Sequence, residues 1–161
     1  SLVCQVLFKK SFKFSKNFFD CAILEKRGRK MKIIEVKTQI KEDLIDITSQ
    51  VRKEIVSSKI QNGLCLVYVP HTTAGVTINE NADPDVRADI LMAMKKLLPE
   101  SLPYQHGEGN SPAHIKASLI GSSVTILIED GRPFFGTWQG IFFCEFDGPR
   151  NRKVYINFFP S

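Results

Sequence analysis

Seven short apolar runs, most of them rich in β-branched residues, follow Met31 in an order that no parallel βαβ series can have. They are MKIIEVKTQ, DLIDIT, LCLVYV, AGVTIN, SVTILIE, TWQGIFFCEF and KVYINFF. Two precede the first helical pattern, two separate it from the second, and the last three follow one another. Strands joined without an intervening helix pair antiparallel, because a parallel partner needs a long crossover. The expectation is an α+β fold: an antiparallel sheet or sandwich of about seven strands, two main helices and a short third.

The helices announce themselves by caps and periodicity. Thr48 stands where a cap belongs for SQVRKEIVSSKI, with Val51, Ile55, Val56 and Ile60 on one face and Asn62-Gly63 as its end. Asp83-Pro84 is a stronger start, an aspartate N-cap followed by proline at the first helical position. That helix is expected to run to about Leu98 with Val86, Ile90, Met94 and Leu97 inward, until Pro99 and Pro103 stop it. A loop of Gly and Pro spans roughly 99–112. The short helix AHIKASLI follows and Gly121 closes it. The connections EDGRPFFG and DGPRNR carry Asp-Gly turn signals.

Charge divides the chain. The net charge of +5 comes from residues 1–30, where eight basic residues stand against Asp20 and Glu25, so residues 31–161 are close to neutral. A nucleic-acid-binding fold carries its basic surface on the fold itself, so nucleic acid is not expected as a partner. Residues 1–30, rich in Lys and Phe, read as an extension upstream of the first methionine, Met31. A targeting segment and an arm packed on the body are the alternatives. Residues 31–161 are enough for one domain. No apolar run approaches the roughly 18 residues of a membrane span, so no membrane partner is expected. Cys4, Cys21, Cys65 and Cys144 form no CxxC pair, and Cys65 and Cys144 sit in apolar runs. Buried inert thiols and a reducing, cytoplasmic setting are the expectation.

Chemistry concentrates in a few segments. There are three histidines, His71 in VPHTTAG, His106 in YQHGEGN and His114 in PAHIKAS. Three imidazoles with one open position make a catalytic zinc site if they converge. Pro112 lies between His106 and His114, which excludes a single helical pair, and His71 is far upstream. Convergence therefore depends on the fold; otherwise each histidine caps a turn or lies on the surface. His71 is followed by the hydroxyls of Thr72 and Thr73 and by two small residues, a run that lets a ligand approach the backbone.

Glu80 continues the apolar face of Val76 and Ile78 and stands either at a rim or half-buried, the second placement suiting general-base work. Arg87 sits in the first helical turn, where the macrodipole disfavours a cation, which points to an anionic partner in Asp83, Glu80 or a phosphate. Lys116 and Arg132 are further anion-binding candidates. Trp138 and Gln139 face opposite ways in a regular strand, and Thr137, Gln139 and Glu145 share a face. Gln139 and Glu145 are about 20 Å apart if extended, so they meet one small ligand only if a bulge at Gly136 or Gly140 bends the strand. No P-loop, dinucleotide fingerprint or nucleophile elbow occurs.

Taken in order, HTTAGVTINENADPDVRAD, His106, AHIKASLIGSS, GRPFFGTWQGI and EFDGPRNRKV resemble the YjbQ-like family, whose members are often labelled secondary thiamine-phosphate synthases. The resemblance covers roughly residues 31–159, and GTWQ is its most specific mark. It implies a β-sandwich of about seven strands and a homotrimer. It implies that His71, His106 and His114 hold a divalent metal, zinc or alternatively magnesium. The positions it matches in the acidic and polar segment are Asn79, Glu80, Asn81, Asp83 and Arg87, and Lys116, Arg132, Thr137, Trp138 and Gln139 also match. On this reading Glu80 and Gln139 are catalytic, and Thr72, Asn79, Arg87, Lys116, Arg132, Thr137 and Trp138 bind a small phosphorylated substrate. The expected function is thiamine-phosphate synthesis or related chemistry on phosphorylated metabolites. A metal-dependent hydrolase and a non-catalytic trimeric metal- or anion-binding protein are the alternatives.

Overall fold

The computed structural model describes residues 31–161; the readings of residues 1–30, Cys4 and Cys21 included, lie outside the described residues. The described chain runs β1 (Lys32–Lys37), β2 (Asp43–Asp46), α1 (Thr48–Ser58), β3 (Gly63–Tyr68), β4 (Ala74–Glu80) and α2 (Pro84–Leu97). It continues through α3 (Ser111–Ile120), β5 (Ser123–Glu129), β6 (Arg132–Pro133), β7 (Gln139–Glu145) and β8 (Asn151–Pro160). The fold is α+β, with every strand pairing antiparallel. One sheet has the order β1-β8-β3-β5-β6 and the other β2-β7-β4.

The described residues hold eight strands where seven were expected. The extra one, β6, falls in a segment read as a connection. Asp130 and Gly131 both take positive φ, 49° and 73°, so the chain reverses in a two-residue hairpin and Arg132–Pro133 pairs back on β5.

Two cores account for the layering. Ile34 and Val36 of β1, Cys65 and Val67 of β3, Ile126 and Ile128 of β5 and Val154 and Ile156 of β8 meet Val76, Ile141 and Phe143 from the smaller sheet. Val51 and Ile55 of α1 close that core. On the other side of the smaller sheet, Leu44, Phe142, Cys144 and Phe146 pack with Ala113 and Ala117 of α3, and Ile90, Leu91 and Met94 of α2 lean on them. Successive residues of a strand face opposite ways. Strand β7 is therefore apolar on both faces, which is why IFFC shows no alternation. Cys65 and Cys144 are free and buried, and burial pushes both thiols up to about 12. No helix of the described residues is long and apolar enough to cross a membrane.

Local details depart from the sequence reading in the helices. Thr48 opens α1 but does not cap it. Its hydroxyl instead donates to Asp46 and accepts the Ile141 N–H at 2.9 Å, tying α1 to the start of β7. The helix ends at Ser58, with Lys59 in the left-handed region at φ 60°, before the Asn-Gly pair. Gly63 begins β3, where a Cβ would lie 2.3 Å from the Phe159 carbonyl oxygen. Val56 and Leu97, both expected inward, are exposed. Helix α2 starts as expected, with the Asp83 carboxylate accepting the Asp85 N–H at 2.9 Å, but it buries none of its residues fully.

Candidate functional site

The loop between β3 and β4 carries His71, Thr72 and Thr73, and strand β8 holds it from behind. The Lys153 N–H donates to His71 Nε2 at 2.9 Å. Next to it, the buried Arg152 side chain donates from Nη2 to Thr73 Oγ1 at 2.9 Å and from Nε to Glu145 Oε2 at 2.7 Å. Glu145 is fully buried. Its carboxylate also accepts from the Thr38 hydroxyl, from the Phe146 and Asp147 N–H groups, and from Arg152 Nη2. An ion pair this deep holds only because nearly every lone pair is satisfied. Burial first, and the Arg152 charge second, hold His71 below the ordinary histidine range, with Glu145 opposing them.

Helix α3 brings the facing wall. The Val76 N–H donates to the Gly121 carbonyl at 3.0 Å, and a Cβ on Gly75 would stand 2.6 Å from that same oxygen. Glycine at position 75 is therefore what lets the helix end lie on β4. The result is a cavity of about 410 Å³ lined by His71, Thr72, Ala74, His114, Ala117, Ser118, Gly121 and Ser122. His106 meets His114 edge to face, ring centroids 5.3 Å apart.

Three imidazoles on one ion need three lone pairs aimed at one point. His106 and His114 come together, and His71 and His114 share the cavity. The Nε2 of His71, however, already accepts the Lys153 N–H. Among the described residues no three His, Cys, Asp or Glu side chains gather closely enough to hold one ion. The donor set among the described residues does not fit the metal that the resemblance implies, and no step is assigned to it.

The other candidates lie at the far end of β4. Ile78, Asn79 and Glu80 line a second cavity of about 570 Å³ with Gly136, Thr137, Trp138 and Gln139. Glu80 pairs in register with Gln139 and is half-buried. Gln139 Oε1 accepts the Gly136 N–H at 2.8 Å, and Thr137–Trp138 form a turn that leads into β7 at Gln139, not the strand their sequence suggested. Trp138 at its tip is 63% exposed. Strand β4, about 20 Å long at the extended rise per residue, lies between this end and the His71 loop. The candidate residues of β4 and of the histidine segments therefore line two different cavities of this chain.

Each cation has its own setting. Lys116 is buried and its ammonium is held by the Glu42 carboxylate at 2.7 Å, a counter-ion from within the chain. Arg87 lies over the Phe142 ring at 5.7 Å, and its charge is among the influences that lower Asp46. Arg132 lines a separate cavity at the β5–β6 hairpin with Glu129, Asp130, Pro133 and Phe134. Sequence reasoning missed Arg152 as a support of the site, and Ser118 and Ser122 as its lining. Its signal was available: an acid inside FFCEF and a base at the start of a strand are charges at core positions, and these survive only as partners.

Known proteins agree with this architecture. The family model for UPF0047 protein YjbQ-like matches residues 32–161. The UPF0047 protein MJ1081 of Methanocaldococcus jannaschii is 55% identical over 122 residues, 76% of this chain and 88% of that one. The UPF0047 protein YugU of Bacillus subtilis is 49% identical over 127 residues, 78% of this chain and 96% of that one. A crystal structure of a YjbQ/UPF0047 family protein from Clostridium acetobutylicum superimposes with TM-score 0.78 at 53% identity, covering 80% of this chain and 99% of that one. A YbjQ-like protein of Sulfolobus solfataricus superimposes with TM-score 0.79 at 33% identity, covering 82% and 97%.

Proposed function

This chain belongs to the YjbQ-like UPF0047 family, and we propose that it is a cytoplasmic enzyme acting on a small phosphorylated metabolite. The observation that carries the reading is the histidine cavity, whose polar lining consists of imidazoles and hydroxyls with no carboxylate. Such a lining donates hydrogen bonds to an oxyanion and does not repel it. Arg152 behind it is neutralised by Glu145, so hydrogen-bond donors rather than net charge would hold the anion. Thiamine-phosphate synthesis, the activity implied by resemblance, and hydrolysis of small phosphate esters are the reactions to assay first.

Glu80 is the acid–base group of this proposal, and it lies at the wrong end of β4 to serve the cavity of its own protomer. We therefore infer a homotrimer in which Glu80 of one copy faces the histidine cavity of another, with Trp138, Thr137 and Asn79 beside the substrate. The outer face of the five-stranded sheet leaves Leu64, Tyr68, Leu127 and Phe159 exposed, apolar surface of the kind that subunits bury. Light scattering on the purified protein should give three times the 18.2 kDa chain mass; a monomer would sink the shared site.

Complementation tests the chemistry. Glu80→Gln and His114→Gln should each lower turnover by about 10²-fold or more. Co-expressing the two variants should restore measurable turnover, because mixed trimers contain cavities with both wild-type halves. Wild-type rates in either single variant would remove the proposed roles. Substrate binding without any turnover in the wild type would leave the non-catalytic binding protein as the better reading.

A further inference from the structure

The hydrogen bond behind His71 decides what its ring can offer the cavity. Nε2 accepts the Lys153 backbone N–H at 2.9 Å, so that nitrogen carries its lone pair inward and no proton. In a neutral imidazole the proton then sits on Nδ1. Nδ1 makes no hydrogen bond among the described residues, and it is not sealed in the interior. It is the ring nitrogen left for a ligand, and it presents a hydrogen, not a lone pair.

The surroundings keep the ring this way. The donor to Nε2 is a main-chain group of β8, fixed by the β1–β8 and β3–β8 ladders, so it cannot swing aside as a side chain can. Arg152, one residue earlier on the same strand, clamps Thr73 two residues from His71. A second proton on the ring, placed on Nε2, would point at the Lys153 N–H. The hydroxyls of Thr72 and Ser122 line the same cavity, and no acid does.

We propose that His71 is held as an Nδ1–H donor to a phosphate oxygen in this cavity and is not a metal ligand. The choice of phosphate rests on the proposed function; the tautomer rests on the Lys153 hydrogen bond alone. The two fail separately, because the tautomer is read without any turnover.

The test is long-range proton–nitrogen correlation NMR of the full chain labelled with ¹⁵N, in which the His71 signals are those lost in His71→Gln. The expected result is a protonated Nδ1 and an unprotonated Nε2. Inorganic phosphate should shift Nδ1, and equimolar zinc should move neither nitrogen. Phosphate affinity should fall about tenfold or more in His71→Leu, the loss expected for a hydrogen bond to a charged group. In His71→Gln, which keeps an acceptor for Lys153 and an amide donor, affinity should stay within about threefold. A proton on Nε2, ring nitrogens that move with zinc, a His71 signal indifferent to phosphate, or undiminished phosphate binding in His71→Leu would each overturn the assignment.

Discussion

Exchanging Arg152 for leucine is expected to destabilise the domain by about 3–5 kcal/mol, the cost of leaving a buried charge without its partner. The mutation strands Glu145, which is fully buried and would keep only the Thr38 hydroxyl and the Phe146 and Asp147 N–H groups. Three hydrogen bonds hold an anion in place, but they do not replace a cation. A drop of that size lowers Tm by roughly 10 °C or more in a domain of this length. The double exchange of Arg152 and Glu145 for leucines should recover much of the loss, because it removes the stranded charge along with its partner. Thermal and urea unfolding at one fixed protein concentration check both variants, since an oligomer's apparent stability depends on concentration. A single variant within about 1 kcal/mol of wild type would show that solvent reaches Glu145. The functional consequence comes through Thr73: without the Arg152 donor, the His71 loop loses one of its two ties to β8.

Replacing Phe142 with alanine should cost a similar amount, about 3–5 kcal/mol, for a different reason. Phe142 is fully buried between the smaller sheet and the helices, against Leu44, Ala113, Ala117, Cys144 and Phe146. Removing the ring leaves a cavity on the helix side of β7, while the Phe143 side, facing the other sheet, stays packed. The damage should fall on α2. That helix buries no residue fully and rests on this cluster through Ile90, Leu91 and Met94, with Arg87 over the Phe142 ring. Hydrogen exchange should therefore show α2 amides losing more protection than β7 amides. Leu97→Ala, at a side chain 76% exposed, is the control and should lie within about 0.5 kcal/mol of wild type. Uniform loss of protection across the domain would mean that the two cores unfold as one and that α2 has no separate dependence on Phe142.

Particular elements show how far the sequence could be read. Asp83-Pro84 started α2 where it was expected, because an N-cap and a first-turn proline act within a few residues. The Asp130-Gly131 turn was visible, but the strand pair it folds back was not, since two residues are too few to show a period. Thr48 was misread as a cap because its real acceptor role involves Ile141, 93 residues away. Leu97 fitted the helical stripe and still faces solvent, because the stripe outruns the cluster it packs on.

By itself the sequence determined the α+β class, the antiparallel order of strands and the segments that carry chemistry, all of which follow from local periodicity, caps and residue type. Only the tertiary structure decided which of those segments meet. Strand β4 runs about 20 Å from Ala74 to Glu80 and so places His71 and Glu80 at opposite ends, although both lie in a single motif. The β8 register puts a Lys153 N–H on His71 and a guanidinium on Glu145. Distance along a rigid strand and the partner across a sheet depend on the pairing of residues remote in the chain, and no local pattern encodes that pairing.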